Sequence, residues 1–412
     1  MIKNLLGQLS LLSVVQVIST LIPLLIVPYI MAHVGPSGFG HYNQALLYSS
    51  IFIPILDMGF DLFASKEMTR NSDGAGRLWG MQLQQKLLFW PFVLLLYAGI
   101  VLALGSFRAI WPMMFLALGY ALGASLMPNW YFEGNKRFLH VQLYALVWKL
   151  IYALGVITFI RQPEHEYWIM AFNSIGALLV LAYAWGRLLW EGVRPKWNPW
   201  PTVVQRLKGN TTISVTPIST YLFSFLPSLI VGFLLGPVQF GYYSVVDRVM
   251  QAFRLPGTLL STVVYVQYNR LLSESHALFL KYRRNVSALV FSGGILLTVL
   301  LLVLEQPIMG LLSAGQSSRS AHLAYGILVW SGVFIIQRQH LQKLLLALEA
   351  QRTSAGISIL LLLLMPVLFS LAHSAGGQRA LFGSMLLFEA SFVLLLSIYA
   401  QRSLRRRAPV SS

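Results

Sequence analysis

GPSGFGHY at residues 35–42 recurs 201 positions later as GPVQFGYY at residues 236–243, with five of the eight positions identical. The same register pairs Ser13 with Ser214 and Leu21 with Leu222. A repeat of this length divides the 412-residue chain into two similar halves. Duplicated halves arranged around a central site are typical of many membrane transporters.

The composition requires lipid as the solvent for much of this chain. Hydrophobic residues make up 57% of the sequence and charged residues only 10%, against about 25% charged in a soluble domain. Apolar stretches of about 20 residues, long enough to cross a bilayer, recur along both halves. The sequence predicts an all-α integral membrane protein with about twelve transmembrane helices in two six-helix bundles, at residues 9–34, 40–63, 86–105, 109–130, 139–160, 166–190, 211–235, 241–265, 286–305, 321–345, 353–373 and 380–401.

The net charge of +17 is distributed by side of the membrane. With both termini in the cytoplasm, the inner segments hold 22 of the 30 Lys and Arg residues. Such a bias follows the positive-inside rule, so the basicity predicts contact with membrane lipids and not with nucleic acid. Only four basic residues fall on the outer side, and they are Arg108, Arg161, Arg319 and Arg379.

The span pattern predicts four regions. An amino-terminal bundle covers residues 1–190 and a carboxy-terminal bundle residues 211–401, with a basic cytoplasmic tail at 402–412. The connection at 191–210 is rich in Trp and Pro, which favours a segment along the cytoplasmic membrane interface. A plain solvated linker is the alternative interpretation of this connection.

Four polar residues cluster in the eighth predicted span. Asp247, Gln251 and Arg254 follow an i, i+4, i+7 spacing and share one helix face, and Arg248 flanks that face. Guanidinium groups bind phosphate oxygens in bidentate geometry, so this face is a candidate binding site for a polyanionic headgroup in a central cavity. Alternatively, Asp247 and Arg248 lie near the outer helix end, where interfacial water neutralises them.

Two further cations fall inside predicted spans. Lys149 lies in the fifth span and Arg338 in the tenth. A basic residue at the bilayer centre costs about 2.5–3.5 kcal/mol on insertion scales, so such residues usually have a function. We therefore include both among the candidate substrate-binding cations, with snorkelling to the interface as the alternative.

Acidic residues within spans are candidates for ion coupling. Asp57 and Asp61 are one turn apart at the inner end of the second span, and Asp247 lies in the eighth. Glu389, in the twelfth span, has no evident partner in the sequence. The first two carboxylates either bind a proton or a cation, or cap or pair at the helix end near Lys66 and Arg70; the pattern favours the second interpretation.

Prolines occur at similar places in both halves. Pro23 and Pro28 in the first span correspond, within a few residues, to Pro217 and Pro227 in the seventh. Each removes a backbone hydrogen bond and permits a kink. Kinks at equivalent positions would suit an alternating-access transporter, although proline is also common in membrane helices generally.

The chain shows no catalytic pattern. It has no cysteine, its eight histidines do not follow metal-ligand spacing, and neither a Walker motif nor a Gly-x-Ser-x-Gly elbow is present. We predict a transporter without cofactor or metal, and not an enzyme.

Several short motifs stand out in the amino-terminal third of the chain. They are Pro28-Tyr29, the corner at residues 35–42, Asp57-Met58-Gly59-Phe60, Ser65-Lys66-Glu67 and Pro128-Asn129-Trp130-Tyr131-Phe132-Glu133-Gly134. With these motifs the chain resembles the polysaccharide transport family of bacterial membrane proteins, above all Wzx-type flippases of O-antigen and related glycans. That family belongs with the multidrug and toxin extrusion (MATE) transporters and the lipid II flippase MurJ, which share a V-shaped pair of six-helix bundles.

The resemblance implies a bacterial inner-membrane protein that moves undecaprenyl-pyrophosphate-linked oligosaccharide from the inner to the outer leaflet. It further implies a cationic lumen, a proton or cation gradient as the driving force, and a glycan polymerase and chain-length regulator as candidate partners. Twelve predicted helices, instead of the fourteen of MurJ-like proteins, argue against lipid II as the cargo.

Two alternatives come from other functional classes. A membrane glycan polymerase or ligase would need a catalytic outer face, which the short outer loops do not offer. A small-molecule exporter of the multidrug type would share the fold, but its cationic drugs would favour an acidic cavity. The charges within the predicted spans of this chain are mainly basic.

Overall fold

The computed structural model is helical throughout its described part. It describes the side chains of residues 11–12, 14–71, 73–207, 222–258, 260–261, 263–272, 274–275, 277–316, 318–350 and 353–404, and these contain no strand. The helices are α1 (Ile2–Leu25), α2 (Val27–Asp57), α3 (Phe60–Arg70), α4 (Ala75–Ala103), α5 (Gly105–Ala109), α6 (Trp111–Ser125), α7 (Asn129–Gly134), α8 (Phe138–Phe159), α9 (Glu166–Trp190), α10 (Trp200–Glu274), α11 (His276–Val303), α12 (Glu305–Leu312), α13 (Arg319–Ala347) and α14 (Gln351–Arg407).

Eight helices among the described residues are long and apolar enough to cross a membrane, and a ninth span is formed by α1 and α2 together. Three of these nine are each divided in two by glycine, at Gly35 in α2, at Gly236 in α10 and at Gly376–Gly377 in α14. When each divided span is counted as two, the described chain contains twelve apolar segments. The fold is therefore that of a multi-pass all-α membrane protein.

The repeated corner has the same backbone conformation in both halves. Gly35 has φ 70° and ψ −179°, and Gly236 has φ 74° and ψ 171°. Residues with a side chain rarely adopt such positive φ angles, so glycine is needed at both positions. Phe39 and Phe240 are both buried. The gaps between predicted spans at 34–40 and 236–240 are too long, because the helix resumes at the proline that follows each glycine. The N–H that proline lacks would have no partner in the first turn of a helix, so no hydrogen bond is lost there.

The predicted kink of the first span is confirmed. The axes of α1 and α2 are bent by 41° at Ile26, between Pro23 and Pro28. Proline lacks the N–H that would continue the helical hydrogen bonds, which is the usual cause of so sharp a bend. Pro217, its predicted counterpart, lies outside the described side chains.

Two predicted helix boundaries are wrong. The second span, predicted to run to residue 63, ends at Asp57, and Gly59 (φ 71°) separates it from α3. The third span, predicted to begin at residue 86, begins eleven residues earlier at Ala75. Lys86 is therefore in the interior of α4 and not at its end.

The chain forms two compact units, Met1–Phe225 and Leu226–Ser412. The division falls inside α10, so the predicted connection at residues 191–210 is grouped with the first unit. A buried core of that unit joins α3, α4 and α7 to the end of α9, and includes Phe60, Trp79, Trp130 and Leu188. The side chains of the predicted tail beyond residue 404 lie outside the described residues.

Part of the connection is bound along α4. The Lys196 N–H donates to the Gly76 carbonyl (2.8 Å). The Gln84 side chain donates to the Asn198 carbonyl (2.8 Å) and accepts from the Asn198 N–H (2.9 Å). A Cβ atom on Gly80 would lie 1.9 Å from the Lys196 carbonyl oxygen. The close approach of the two backbones therefore depends on glycine in α4.

We expect Gly80→Ala to destabilise the protein by about 1–3 kcal/mol, because the new methyl group meets backbone and the connection must shift. Gly99→Ala is the matched control on the same helix, since a Cβ there meets nothing within 4 Å. In the control, the better helix propensity of alanine is expected to stabilise by about 0.5–1 kcal/mol. Chemical unfolding in mixed micelles measures the unfolding free energy of both variants. A change of the same sign in Gly80→Ala and in Gly99→Ala would contradict the close packing.

Candidate functional site

Lys149 on α8 binds a carbonyl that a proline leaves without its helical partner. Its ammonium group donates to the Ser19 carbonyl oxygen (2.8 Å) and contacts the Ser19 hydroxyl (3.0 Å). In an α-helix that carbonyl would accept from the N–H four residues later, but residue 23 is proline. Lys149 therefore replaces the missing donor, and its ammonium group binds α1 within the first unit.

We expect Lys149→Met to cost about 1.5–3 kcal/mol, the range for a hydrogen bond from a charged group. In a Pro23→Ala background the restored N–H satisfies Ser19, so the same substitution should cost clearly less. Pro91→Ala, a helix proline in α4, is the control background in which the effect of Lys149→Met should be unchanged. A double-mutant cycle of unfolding free energies measures the coupling, and additivity with Pro23→Ala would contradict it.

A second buried cation occupies the end of α2. Lys86 is only 2% exposed, and its ammonium group donates to the Leu56 carbonyl (2.8 Å) and lies 3.6 Å from Asp57 Oδ1. The neighbouring Gln85 amide donates to the carbonyls of Leu56 (3.1 Å) and Asp57 (2.7 Å). The last carbonyls of a helix have no helical partner, and a cation also suits the negative end of the helix dipole. Two consecutive side chains of α4 thus satisfy the end of α2.

Asp61 adds a second carboxylate to this cation. Its backbone N–H donates to Asp57 Oδ1 (3.3 Å), while its own Oδ1 is buried without a hydrogen-bond partner among the described residues. The cluster of Asp57, Asp61 and Lys86 therefore contains two acids for one lysine. The predicted capping is present, since Asp57 Oδ1 accepts from the Asp61 N–H at the start of α3, but the cation beside the two acids is Lys86 and not Lys66 or Arg70.

The aromatic motif at residues 128–134 supports the same region. Trp130 Nε1 donates to the side-chain oxygen of Gln82 (3.1 Å), one turn before Lys86 on α4. A Cβ atom on Gly134 would lie 2.4 Å from Met68 Cβ, so glycine permits α7 to pack against α3. Sequence reasoning missed Gln82, Gln85 and Lys86. The signal was present, since QLQQK is a polar run inside an otherwise apolar helix.

The predicted polar face of α10 is present in the second unit. Gln251 donates to Asp247 Oδ2 (2.8 Å) and accepts from Arg248 (3.3 Å). Arg254 lies 3.9 Å from Asp247 Oδ1, the outer limit of an ion pair, and its Nε is buried without a hydrogen-bond partner among the described residues. This face thus carries two guanidinium groups and one carboxylate, with Arg254 beside Asp247 and Arg248 bound to Gln251.

Arg338 and Glu389 form a buried ion pair between α13 and α14. Arg338 Nε and Nη2 donate to the two carboxylate oxygens at 3.0 and 3.2 Å. The two side chains are only 10% and 13% exposed. The expectation that Glu389 has no partner is wrong, and the bidentate pair neutralises Arg338.

The candidate cations therefore fall into three separate environments. Lys149 satisfies a backbone carbonyl, Arg338 is paired with a carboxylate, and Arg248 and Arg254 lie with Gln251 and Asp247 on one face of α10. No group of three or more metal-ligating side chains occurs among the described residues. Of the predicted substrate-binding cations, the two on α10 have the geometry best suited to an external anion.

Comparison with known proteins assigns the family. Residues 5–268, more than half of the chain, match the family described as "Polysaccharide biosynthesis protein". The chain belongs to this family. A relative within the curated proteins is the "Putative O-antigen transporter" of Escherichia coli (strain K12), which is 24% identical over 307 residues, covering 71% of each chain.

Solved structures of similar fold are also membrane transporters. A multidrug resistance MATE family transporter of the MOP superfamily, in an inward-facing conformation, superposes with a TM-score of 0.75 at 12% identity, covering 96% of both chains. The lipid II flippase MurJ, in an inward closed conformation, gives a TM-score of 0.70 at 14% identity, covering 96% of this chain and 89% of that one.

These findings confirm the resemblance to polysaccharide transporters and the MATE- and MurJ-like fold. The relative and the solved structures named above are transporters or flippases, and none of them is an enzyme. The alternative of a glycan polymerase or ligase is thereby disfavoured. Assignment of individual site residues depends on the geometry described above.

Proposed function

We propose that this protein is a flippase for undecaprenyl-pyrophosphate-linked oligosaccharide repeat units of O-antigen or a related polysaccharide. It moves them by alternating access from the inner to the outer leaflet of the bacterial cytoplasmic membrane, with both of its termini in the cytoplasm. A glycan headgroup cannot cross hydrocarbon without polar partners, so the protein must replace water around it. Family membership and the similarity to an O-antigen transporter and a lipid II flippase support this proposal.

The observation that carries the proposal is the arginine pair on α10. Arg254 lies at the outer limit of an ion pair with Asp247 and has a buried Nε without a partner among the described residues, while Arg248 donates to Gln251. Guanidinium groups bind phosphate strongly because they donate in a fixed fork. We assign these two arginines to the pyrophosphate or to anionic sugars of the cargo, with Gln251 holding Asp247 in place.

The experiment follows radiolabelled lipid-linked glycan in sealed spheroplasts of a strain that lacks this gene. We expect the labelled intermediate to accumulate unpolymerised and inaccessible to an outer-leaflet glycan-processing enzyme. Wild-type protein should restore access, whereas Arg254→Gln should not. Arg270→Gln is the matched control, since Arg270 is an exposed α10 arginine paired with Glu274. Normal export by Arg254→Gln at equal membrane abundance would exclude this role of Arg254.

The proposal includes a coupling site in the cluster of Asp57, Asp61 and Lys86. Lys86 compensates one of the two carboxylates, so the other can bind a proton or a small cation. Asp61 is the better candidate because its Oδ1 is buried and without a partner among the described residues. Asp247 and Glu389, the other predicted coupling acids, already lie beside Arg254 and Arg338.

Reconstituted vesicles test the coupling. With an imposed proton or sodium gradient, wild-type protein is expected to flip lipid-linked glycan faster than without one. Asp61→Asn should abolish that stimulation while leaving the slow exchange of cargo at zero gradient. Asp73→Asn, a substitution of an exposed acid between α3 and α4, is the control. Stimulation that survives Asp61→Asn would remove Asp61 from the coupling mechanism.

A multidrug exporter is the second candidate, and the fold shared with a MATE transporter supports it. The excess of arginine on α10 argues against cationic drugs as cargo. Drug susceptibility of an exporter-deficient host separates the two. We expect that expression of this gene does not protect the host against drugs. Protection of the host, together with normal glycan export in the strain that lacks this gene, would favour the second candidate.

A further inference from the structure

A groove between α8 and α9 in the first unit is lined by none of the candidate site residues. Its volume is about 500 Å³. Leu143, Val147 and Ile151 of α8 line one wall, and Leu179 and Val180 of α9 line the other. A cavity of this size is comparable to one fatty-acyl chain and too small for a 55-carbon polyprenyl chain.

One end of the groove is polar. His140, Tyr144, Tyr183 and Arg187 lie there, near the start of α8 and the end of α9. Arg187 stacks on Trp190, whose ring is 77% exposed, at 4.7 Å. Tryptophan and arginine together at a helix end mark the depth of the lipid headgroups. The groove therefore extends from headgroup depth into the hydrocarbon.

The polar end carries more positive than negative charge. Glu191 accepts from Arg137 (2.7 and 2.9 Å), from Arg187 (2.9 Å) and from the Tyr131 hydroxyl (2.6 Å). Burial opposes ionisation of Glu191, but the hydrogen bonds from Tyr131, Arg187 and Arg137 hold its pKa below the usual value. Two arginines thus share one carboxylate, which leaves one positive charge for a further anion.

Two polar atoms at this end also lack partners. The Tyr144 hydroxyl and His140 Nδ1 are buried and make no hydrogen bond with the described residues. Buried polar atoms are usually satisfied, so such a pair beside two arginines that share one carboxylate indicates a missing partner. A phosphate group accepts hydrogen bonds and carries the complementary charge.

We propose that this groove binds one acyl chain of an anionic phospholipid, with the phosphate beside Arg187 and Tyr144. Basic pockets between transmembrane helices on the cytoplasmic side are known to select anionic headgroups. The positive-inside distribution places this end in the cytoplasmic leaflet. The site shares no lining residue with the arginines of α10, and its existence does not depend on which cargo the protein carries.

Native mass spectrometry of the full-length protein, titrated with phosphatidylglycerol or phosphatidylcholine, tests the headgroup. We expect preferential binding of phosphatidylglycerol, and Arg187→Gln should weaken it about fivefold, the effect of one cation near an anionic lipid. Arg270→Gln is the matched control, because Arg270 also forms an i, i+4 pair with a glutamate near a helix end. Equal binding of both lipids, or equal losses in both variants, would overturn the proposal.

Filling the groove tests the chain. Val147→Trp is expected to abolish retention of phosphatidylglycerol. If that variant does not fold, Leu179→Trp fills the groove from the opposite wall, with the same expected result. Leu154→Trp is the control, since Leu154 is 62% exposed on the same helix and outside the groove. Full retention by a folded groove-filling variant would show that the lipid binds elsewhere.

Discussion

Replacing Arg338 by methionine is expected to destabilise the second unit by about 3–5 kcal/mol, because Glu389 is left as a buried charge without its partner. Both side chains are almost completely buried, and the bidentate geometry gives them two charge-assisted hydrogen bonds. Removal of one partner from a buried ion pair is far more costly than removal of both. The double variant Arg338→Met/Glu389→Gln should therefore regain most of the lost stability.

Chemical unfolding in mixed micelles, with tryptophan fluorescence as the signal, measures the four members of this cycle. Arg270→Gln provides the exposed comparison, since Arg270 and Glu274 are 66% and 47% exposed. An exposed pair of that kind contributes about 0.3–0.5 kcal/mol. Additive losses from Arg338→Met and Glu389→Gln would show that the two side chains do not interact in the membrane.

Lys86→Met is expected to have the second-largest effect, about 3 kcal/mol, at the lower end for a buried pair because Asp57 is a quarter exposed. The substitution removes the counter-charge of two carboxylates and one of the two donors to the Leu56 carbonyl. Asp57→Asn in the same chain removes one of the uncompensated charges. We expect this second substitution to restore part, but not all, of the stability, because the Asp61 carboxylate still lacks its counter-charge and the carbonyl keeps only the bond from Gln85.

The same unfolding assay measures this effect, with Lys66→Met as the control. Lys66 is exposed on α3 and close in sequence to the same acids. We expect its substitution to change the unfolding free energy by less than about 0.5 kcal/mol, as for most surface positions. A larger effect of Lys66→Met than of Lys86→Met would restore the original interpretation, in which Asp57 and Asp61 pair along their own helix.

The features that depend on local rules were predictable from the sequence. The repeated corner predicted an interruption between two spans at the same place in each half. The structure has a positive φ at Gly35 and at Gly236, and each glycine interrupts a helix there. Pro23 predicted the bend at the start of the chain, and the i, i+4, i+7 spacing predicted that Asp247, Gln251 and Arg254 would meet.

Contacts between distant helices were not predictable in this way. The partner of Glu389 lies 51 residues away and the partner of Lys149 lies 130 residues away, and neither spacing carries a periodic signal. Lys86 was missed for another reason. A hydropathy reading begins a span where apolar residues begin, so α4 was predicted to start at Lys86, and the eleven residues before it were assigned to a loop.

The hydrogen bond between Lys149 and the carbonyl left free by Pro23 has a consequence for the history of the chain. A lysine that arose first would have had only the Ser19 hydroxyl and an already bonded carbonyl as acceptors on α1, against an insertion cost of about 2.5–3.5 kcal/mol. A proline that arose first would have left one carbonyl without its helical donor, and a hydroxyl or a water molecule can donate to that carbonyl instead. We therefore expect the proline to be the older of the two, and reversion of Pro23 to be harmful wherever the lysine is retained.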